Sequence, residues 1–352
     1  MNPPYSHTPC IKLACYSTTP SRERKPVPDT FIVMATYNGA RFLGEQVDSL
    51  LRQTHSDWTL LIRDDDSSDE TLSTLDRFVA RDSRIQKLAS EDRRLGPSQS
   101  FGRLFDAAFR LGAERVFLCD QDDVWAPDKV ARQLEQLLHA EARFGRDTAM
   151  IVHSDLEVVD ENLRVVHESF FASQRLKHVK RRPLQTLAVQ NFVTGCTLVA
   201  NRSALEIALP IPPEAVMHDW WIALCTAGPG RLLFDPLPLV KYRQHDGNAV
   251  GARHFWHAAW ETICRRTRPT GWRLRETSLE FAAVLEQASA AADHLADVHP
   301  PSTKWLAEFL DLWRNPPRPG QRLARLRRLG SRRLDPLRNL LLQARLALTA
   351  SK

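Results

Sequence analysis

The apolar run Val116-Phe117-Leu118-Cys119 ends abruptly in Asp120-Gln121-Asp122-Asp123, and Trp125, Pro127 and Asp128 then lead into a helical pattern. Carboxylates packed this closely repel one another, and burying them uncompensated is costly. Such a cluster at a strand end points to a divalent cation with oxygen ligands. A solvated acidic turn that caps the next helix is the plainer alternative, and this stretch alone leaves both open. Two further polar turns follow apolar runs in the same way. Thr36-Tyr37-Asn38-Gly39 follows Phe31–Ala35, and Arg63-Asp64-Asp65-Asp66-Ser67-Ser68-Asp69-Glu70 follows Trp58–Ile62. Later in the chain, His218-Asp219-Trp220-Trp221 opens a helical run. A carboxylate near a helix N-terminus is favoured in its ionised form, ready to accept a proton. The two tryptophans suit packing on the flat face of a ligand, and suit a core equally well.

The elements that would position these turns alternate. Phe42, Leu43, Val47, Leu50 and Leu51 fall on one helix face. Ser67 and Glu70 fit a capping box ahead of Leu72, Leu75, Phe78 and Val79. A third strand is expected over Ile85–Leu88, a helix from Gly96-Pro97-Ser98 onward, a fourth strand over Arg115–Cys119 and a helix over Lys129–Phe144. Strand–helix alternation predicts a parallel, doubly wound sheet, whose ligands bind beyond the carboxyl ends of the strands. All three acidic or polar turns then lie on one rim. Past Ala149 the pattern becomes strands at Met150–His153 and Gly195–Ala200, a hairpin about Asp160-Glu161-Asn162, a helix from Met217, and strands at Arg231–Phe234 and Leu239–Arg243. Helical sequence runs from His254 to the end.

Of the 352 residues, 43% are hydrophobic and 26% charged, an ordinary globular composition. The net charge of +6 is unevenly placed. Arg314–Arg345 holds ten arginines against one acid, so the rest of the chain is near −3. Cys10, Cys15, Cys119, Cys196, Cys225 and Cys264 lack paired spacing and read as reduced thiols, which points to the cytosol. No stretch is apolar enough for a membrane span. Residues 1–29, rich in Pro, Ser and Thr, are expected to be a disordered leader.

Taken in order, the turns resemble those of the family 2 glycosyltransferases, and within them rhamnosyltransferase-like members. The matching residues are Ala35–Gly39, Arg63–Thr71, Asp120–Trp125 with Pro127-Asp128-Lys129, Gly195-Cys196, His218–Trp221, and Tyr242–His245 with Asn248. Asp66 stands where the family commonly has Gly, at a turn that Asp can enter with positive φ. The resemblance implies a GT-A fold, a Rossmann-like, mostly parallel sheet flanked by helices, over residues 30–252. Residues 253–352 would be a helical C-terminal extension with a basic amphipathic tail.

The resemblance further implies an inverting, hexosyltransferase-type enzyme. It would use a nucleoside-diphosphate sugar, with thymidine-diphosphate rhamnose as one donor, and a polysaccharide or lipid-linked saccharide acceptor. Thr36, Tyr37, Asn38, Asp64, Asp65, Asp120, Gln121 and Arg243 would bind the donor. Asp120, Asp122, Asp123 and His245 would hold Mg2+ or Mn2+, with Asp122 and one neighbour as the main ligands. Gly195, Cys196, His218, Trp220 and Trp221 would face the acceptor, and Asp219 would be the general base. The tail, with Leu323, Leu326, Leu329, Leu334, Leu337, Leu341 and Leu348 among its arginines, suits either a membrane surface or packing on the body. Membrane contact would put the enzyme at the inner face of the plasma membrane.

Other classes fit less well. A Rossmann dehydrogenase needs GxGxxG after the first strand, which is missing. A phosphatase with an Asp-x-Asp nucleophile would carry it at the end of the first strand, where Thr36-Tyr37-Asn38 stands instead. Nucleic-acid or membrane-surface binding through the arginine tail, beside a degenerate transferase domain, is the competing non-enzyme reading. The mildly acidic body argues against nucleic acid as a partner.

Overall fold

The structure, a computed structural model, describes residues 29–89, 94–245, 270–315, 317–336, 339, 340 and 342. The expected leader, Asn248, the boundary at 252 and the tail leucines Leu337, Leu341 and Leu348 lie outside these residues.

The first half winds as expected. Strand β1 (Thr30–Thr36), helix α1 (Ala40–Leu51), β2 (Thr59–Asp64), α2 (Thr71–Arg81), β3 (Ile85–Lys87), α3 (Pro97–Arg110) and β4 (Arg115–Cys119) follow one another. β1 pairs in parallel with both β2 and β4, and β3 joins β2 in parallel. Phe31, Ile32, Val33 and Met34 are all fully buried, as a strand covered on both faces must be. α1 and α3 supply that cover with Leu43, Val47 and Leu50, and with Leu104, Phe105 and Ala108.

The second half departs from a pure parallel sheet. After β5 (Val124–Trp125) and α4 (Lys129–Phe144) come β6 (Met150–Val159), β7 (Val165–His167), α5 (Phe170–Ser173), α6 (Pro183–Leu187), a short 3-10 turn (Gly195–Thr197) and β8 (Val199–Asn201). Then follow α7 (Arg202–Ala208), α8 (His218–Thr226) and β9 (Arg231–Arg243). The sheet runs β3-β2-β1-β4-β8-β6-β9-β5, with β7 on the far end of β6. β8 is antiparallel to both β4 and β6, so the sheet is mixed.

Three local expectations need correcting. Arg231–Phe234 and Leu239–Arg243 are one strand, because Pro236 and Pro238 sit where the register against β6 is already irregular. Gly195–Thr197 turns rather than extends, since the Gly195 N–H is drawn to Asp219 and Thr197 folds back on the Thr194 carbonyl. Ser67 does not cap α2; its hydroxyl donates to Asp64 at 2.6 Å and the helix starts only at Thr71.

The helical extension packs on the body through α9 (Thr270–His294), α10 (Pro300–Arg314) and α11 (Pro319–Leu329). Gln287 Oε1 accepts the N–H of Val216, just ahead of α8, and the His294 ring meets Trp221 edge-on at 5.3 Å. Leu326 and Leu329 of α11 are buried, while Arg325, Arg327 and Arg328 are exposed. Along α11, therefore, the leucine face is buried and the arginines lie at the surface, where Arg325 pairs with Asp311 at 3.5 Å. Among the described residues no helix is long and apolar enough to cross a membrane.

Candidate active site

The carboxyl ends of β1, β2 and β4 bring the three turns onto one rim, and side-chain amides and hydroxyls sew them together. Thr36 Oγ1 donates to Asp64 Oδ1 at 2.8 Å. The Gln121 side chain pairs twice with the Tyr37 backbone, accepting its N–H at 2.9 Å and donating to its carbonyl at 3.1 Å. A Cβ on Gly39 would stand 2.2 Å from Gln121 Oε1, so a larger residue there would push the amide off the Tyr37 backbone. Asn38 takes φ of +45° and accepts the Ser68 N–H at 2.8 Å. Asp66, at φ +69°, enters the left-handed region without needing glycine.

Asp64 and Asp65 have largely structural partners. Asp64 accepts from Thr36, from Ser67 Oγ and from the Ser67 N–H at 2.9 Å. Asp65 accepts from Arg63 at 2.6 Å and from the N–H groups of Leu95 and Gly96 at 2.7 Å each. Burial pushes the Asp65 pKa up, and these hydrogen bonds outweigh it, leaving it below the usual carboxylate value. Its role is to close the loop ahead of α3. That loop carries Arg94, whose guanidinium lies over the Tyr37 ring at 3.7 Å.

In the third turn the carboxylates diverge. Asp122 Oδ2 lies 3.0 Å from His245 Nε2, and both side chains are partly reachable by solvent. Asp123 is fully buried; it accepts the Arg243 N–H at 3.1 Å, the Cys196 thiol lies against it, and burial with the charges of Asp120 and Asp122 pushes its pKa well up. Asp120 is half-buried, and its pKa is pushed up to about 7 by burial and then by the charges of Asp122 and Asp219. Asp120, Asp123 and Cys196 bring ligand atoms within 4.8 Å of one another. The sequence reading paired Asp122 with one neighbouring acid; here Asp120 and Asp123 gather with Cys196, and Asp122 turns to His245 instead.

Arg243 is not a free phosphate clamp. It is 1% exposed, and its donors go to the Asp122 carbonyl at 2.8 Å, the Glu161 carbonyl at 2.6 Å and the Glu45 carboxylate. It holds the acidic turn in shape. Lys129 was named in the sequence only as part of a motif. It is fully buried, with Nζ 3.8 Å over the Trp125 ring and 2.8 Å from Gln133 Oε1.

Asp219 lies in the first turn of α8, 8% exposed, with Oδ2 accepting the Gly195 N–H at 2.9 Å. Burial pushes its pKa up to about 6, only partly offset by the backbone N–H groups of Trp220 and Gly195. The helix N-terminus therefore does not dominate its acidity, as the sequence had suggested; desolvation does. A Cβ on Gly195 would stand 3.4 Å from both His218 Nε2 and Asp219 Cβ, in van der Waals contact, and would fill the space beside the carboxylate. His218 stacks on Phe101 at 3.9 Å, neither ring nitrogen has a partner, and burial holds its pKa near about 3.

The two tryptophans do not face a pocket. Trp220 and Trp221 are 1% and 0% exposed, and their indole N–H groups donate to the carbonyls of Leu187 and Ala208 at 2.7 Å. They are core residues that fix α8. Cys196 is also fully buried, against the acidic turn.

Residues 31–204 match the description Glycosyl transferase family 2. The chain belongs to that family. Among curated relatives, the dTDP-rhamnosyl transferase RfbG of Shigella flexneri is 26% identical over 242 residues, 65% of this chain and 78% of its own. The UDP-Glc:alpha-D-GlcNAc-diphosphoundecaprenol beta-1,3-glucosyltransferase WfgD of Escherichia coli is 29% identical over 176 residues. That match spans 50% of this chain and 61% of WfgD, less than two thirds of its length. The crystal structure of S. aureus TarS 1-349 in complex with UDP-GlcNAc aligns with a TM-score of 0.51 and 16% identity. It covers 80% of this chain and 71% of that one, a likeness of fold. This family 2 transferase has the GT-A arrangement: a mixed sheet under flanking helices, with its acidic turns on one rim and C-terminal helices beyond.

Proposed function

We propose that this family 2 chain is an inverting glycosyltransferase. It moves a sugar from a nucleoside-diphosphate sugar to a hydroxyl of a polysaccharide or lipid-linked saccharide. The observation that carries the reading is the turn at Gly195–Thr197: the Gly195 N–H donates to Asp219 at 2.9 Å, while a ligand atom of the next residue, Cys196, lies within 4.8 Å of those of Asp120 and Asp123. This adjacency supports one site with a cation-holding end and a proton-accepting end.

Asp122 and His245, with Asp120, are the residues suited to Mg2+ or Mn2+ at the diphosphate. Carboxylate oxygens and an imidazole are fitting donors for Mn2+, and the pair keeps a small exposed edge, 16% of the Asp122 side chain and 11% of His245. Such an ion would offset the charge developing on the leaving diphosphate. Asp219 takes the proton from the acceptor hydroxyl as it attacks the anomeric carbon from the face opposite the leaving group. The N–H of Gly195 holds the Asp219 carboxylate in place, and Trp220 and Trp221 lock the helix that carries it. Tyr37 and Arg94 form a flat cationic stack beside the first turn, where the nucleotide is expected.

The relatives suggest where to look first. RfbG is named for dTDP-rhamnose and WfgD for UDP-glucose and a diphosphoundecaprenol acceptor. We take thymidine-diphosphate rhamnose and a lipid-linked saccharide as the first pair to try. A cytoplasmic enzyme at the inner membrane face would approach the anionic surface through the exposed arginines of α11, since the leucines Leu326 and Leu329 are buried. The test is a panel of nucleotide sugars with Mn2+ or Mg2+, read by turnover in the presence of acceptor. Release of nucleotide from one donor supports the reading. Failure of every nucleotide sugar to bind contradicts it.

A further inference from the structure

Two basic runs, far apart in the chain, lie side by side in the fold. The first is the loop of residues 175–182 between α5 and α6, and the second is residues 325–333, the end of α11 and the turn after it. Neither run contains an acid. Contacts join them at both ends of the loop. Arg175 pairs with Asp335 at 3.5 Å, and the Leu334 N–H donates to Gln190 Oε1 at 2.8 Å. Gly330, at φ +73°, lies so close to α6 that a Cβ there would stand 2.7 Å from Gln185 Oε1.

The body loop is anchored so that its cations stay outside. Leu176 is buried, the His178 ring stacks on Phe234 at 5.3 Å, and Val179 packs against the core. Lys177, Lys180, Arg181 and Arg182, between and after these anchors, are exposed. In the extension, burial of Leu326 and Leu329 does the same for Arg327 and Arg328, and Arg332 is exposed beyond them. Asp335, the acid that follows, is buried and faces Arg175.

We propose that residues 175–182 and 325–333 form one cationic platform that docks on the anionic leaflet of a phospholipid bilayer. This inference adds a loop of the catalytic body to the contact expected of α11, and it does not rest on the transferase reading.

Charge complementarity supports that partner. An anionic surface attracts every cation held within a Debye length of it, so two runs joined in one face act together where each alone is weak. Leu340 favours a bilayer over a nucleic acid. It is 61% exposed, and it follows Asn339, whose side chain accepts the Arg333 N–H at 3.1 Å. A leucine beside a basic cluster can bury itself at the headgroup–acyl boundary of a bilayer, whereas a phosphate backbone offers it nothing.

The experiment is sedimentation of the full chain, without nucleotide sugar, with vesicles of phosphatidylcholine that either contain or lack phosphatidylglycerol. The wild type should sediment with the phosphatidylglycerol vesicles, be released by added salt and ignore pure phosphatidylcholine. Each basic residue near an anionic surface contributes roughly fivefold to partitioning. The triple variant Lys177→Gln, Lys180→Gln, Arg181→Gln should therefore bind roughly 100-fold more weakly, with an unchanged melting temperature. If the triple variant melts early, Lys180→Gln alone carries the test, with a loss of about fivefold. Arg328→Gln with Arg332→Gln should weaken binding roughly 25-fold. A control triple, Arg52→Gln, Arg143→Gln, Arg146→Gln, removes the same charge from exposed positions around the ends of α1 and α4 and should bind nearly as the wild type does. Equal losses in the two triple variants would assign the effect to net charge and overturn the platform, as would a loop variant that binds like the wild type. A wild type that ignores the anionic vesicles, or that binds an RNA oligomer and not the vesicles, overturns it as well.

Discussion

Oδ2 of Asp122 and Nε2 of His245 lie 3.0 Å apart, although the two residues are 123 positions apart in the chain. The contact depends on Arg243, which holds the Asp122 carbonyl and gives its own N–H to Asp123. His245 is also fixed from behind by the Phe42 ring at 4.5 Å. If this pair holds the diphosphate-bound cation, His245→Ala should weaken Mn2+ binding about tenfold. Donor affinity should fall with it, while the fold is kept. Isothermal titration with Mn2+ reads this directly, and unchanged affinity would remove His245 from the site.

Arg243→Met tests the strut itself. Its removal leaves the Asp122 and Glu161 carbonyls without their donor and Glu45 without its partner. The expected cost is about 3 kcal/mol of stability. Thermal unfolding should show a clear drop, and a variant as stable as the wild type would mean the network is dispensable.

The pH profile of transfer should carry the signature of Asp219. The base works ionised, and burial pushes its pKa up to about 6. The rate should therefore fall as pH drops through about 6 and level off above 7, with a bound cation shifting the midpoint lower. In Asp219→Asn this limb should vanish along with most of the rate. An acid limb that survives in Asp219→Asn belongs to another group.

Gly195→Ala probes the approach to Asp219. The added methyl would stand 3.4 Å from His218 Nε2 and 3.5 Å from Asp219 Oδ2. We expect kcat to fall and donor affinity to hold, as measured by steady-state kinetics beside donor titration. Parallel losses in both would put Gly195 on the donor side.

Acid stability has a separate source in the second half of the sheet. His153 is buried with Nε2 3.1 Å from His178 Nδ1, and the His178 ring stacks on Phe234 at 5.3 Å. Burial lowers both pKa values, His178 to about 4 with help from the Lys180 charge. The unfolded chain, with histidine near about 6.5, takes up protons first as pH falls. Stability is thus lost between about 6.5 and 4. Asp120 and Asp219, whose pKa values are raised, act in the opposite sense over part of that window. His178→Phe isolates the histidine contribution. Its melting temperature relative to wild type should improve from pH 7 to pH 5, and a constant difference would contradict this account.

What could be read from the sequence followed from local pattern. Phe31–Ala35 and Arg115–Cys119 are apolar runs of strand length ending in polar turns, so the parallel half of the sheet and its rim were legible. Asp219 at the start of a helix was legible for the same reason. The antiparallel insertion of β8 was not, because it depends on pairing across more than 80 residues. Trp220 and Trp221 beside a carboxylate looked like a sugar platform, but their N–H partners, Leu187 and Ala208, are set by tertiary packing alone. Arg243 misled likewise. An arginine near acidic residues reads as a ligand clamp until its guanidinium is seen to be spent on carbonyls. Buried Lys129 carried a weak signal, a cation placed directly after an acidic strand end and followed at i+4 by Gln133, its hydrogen-bond partner.

The central claim is that Asp122 and Asp219 serve different steps in one site, and comparing donor binding with sugar transfer in Asp122→Ala and Asp219→Asn tests it most directly. The account predicts that Asp122→Ala loses donor affinity in the presence of Mn2+. Asp219→Asn should bind donor as the wild type does and transfer about 100-fold more slowly or worse. Equal donor affinity in all three proteins, or full transfer by Asp219→Asn, would contradict it.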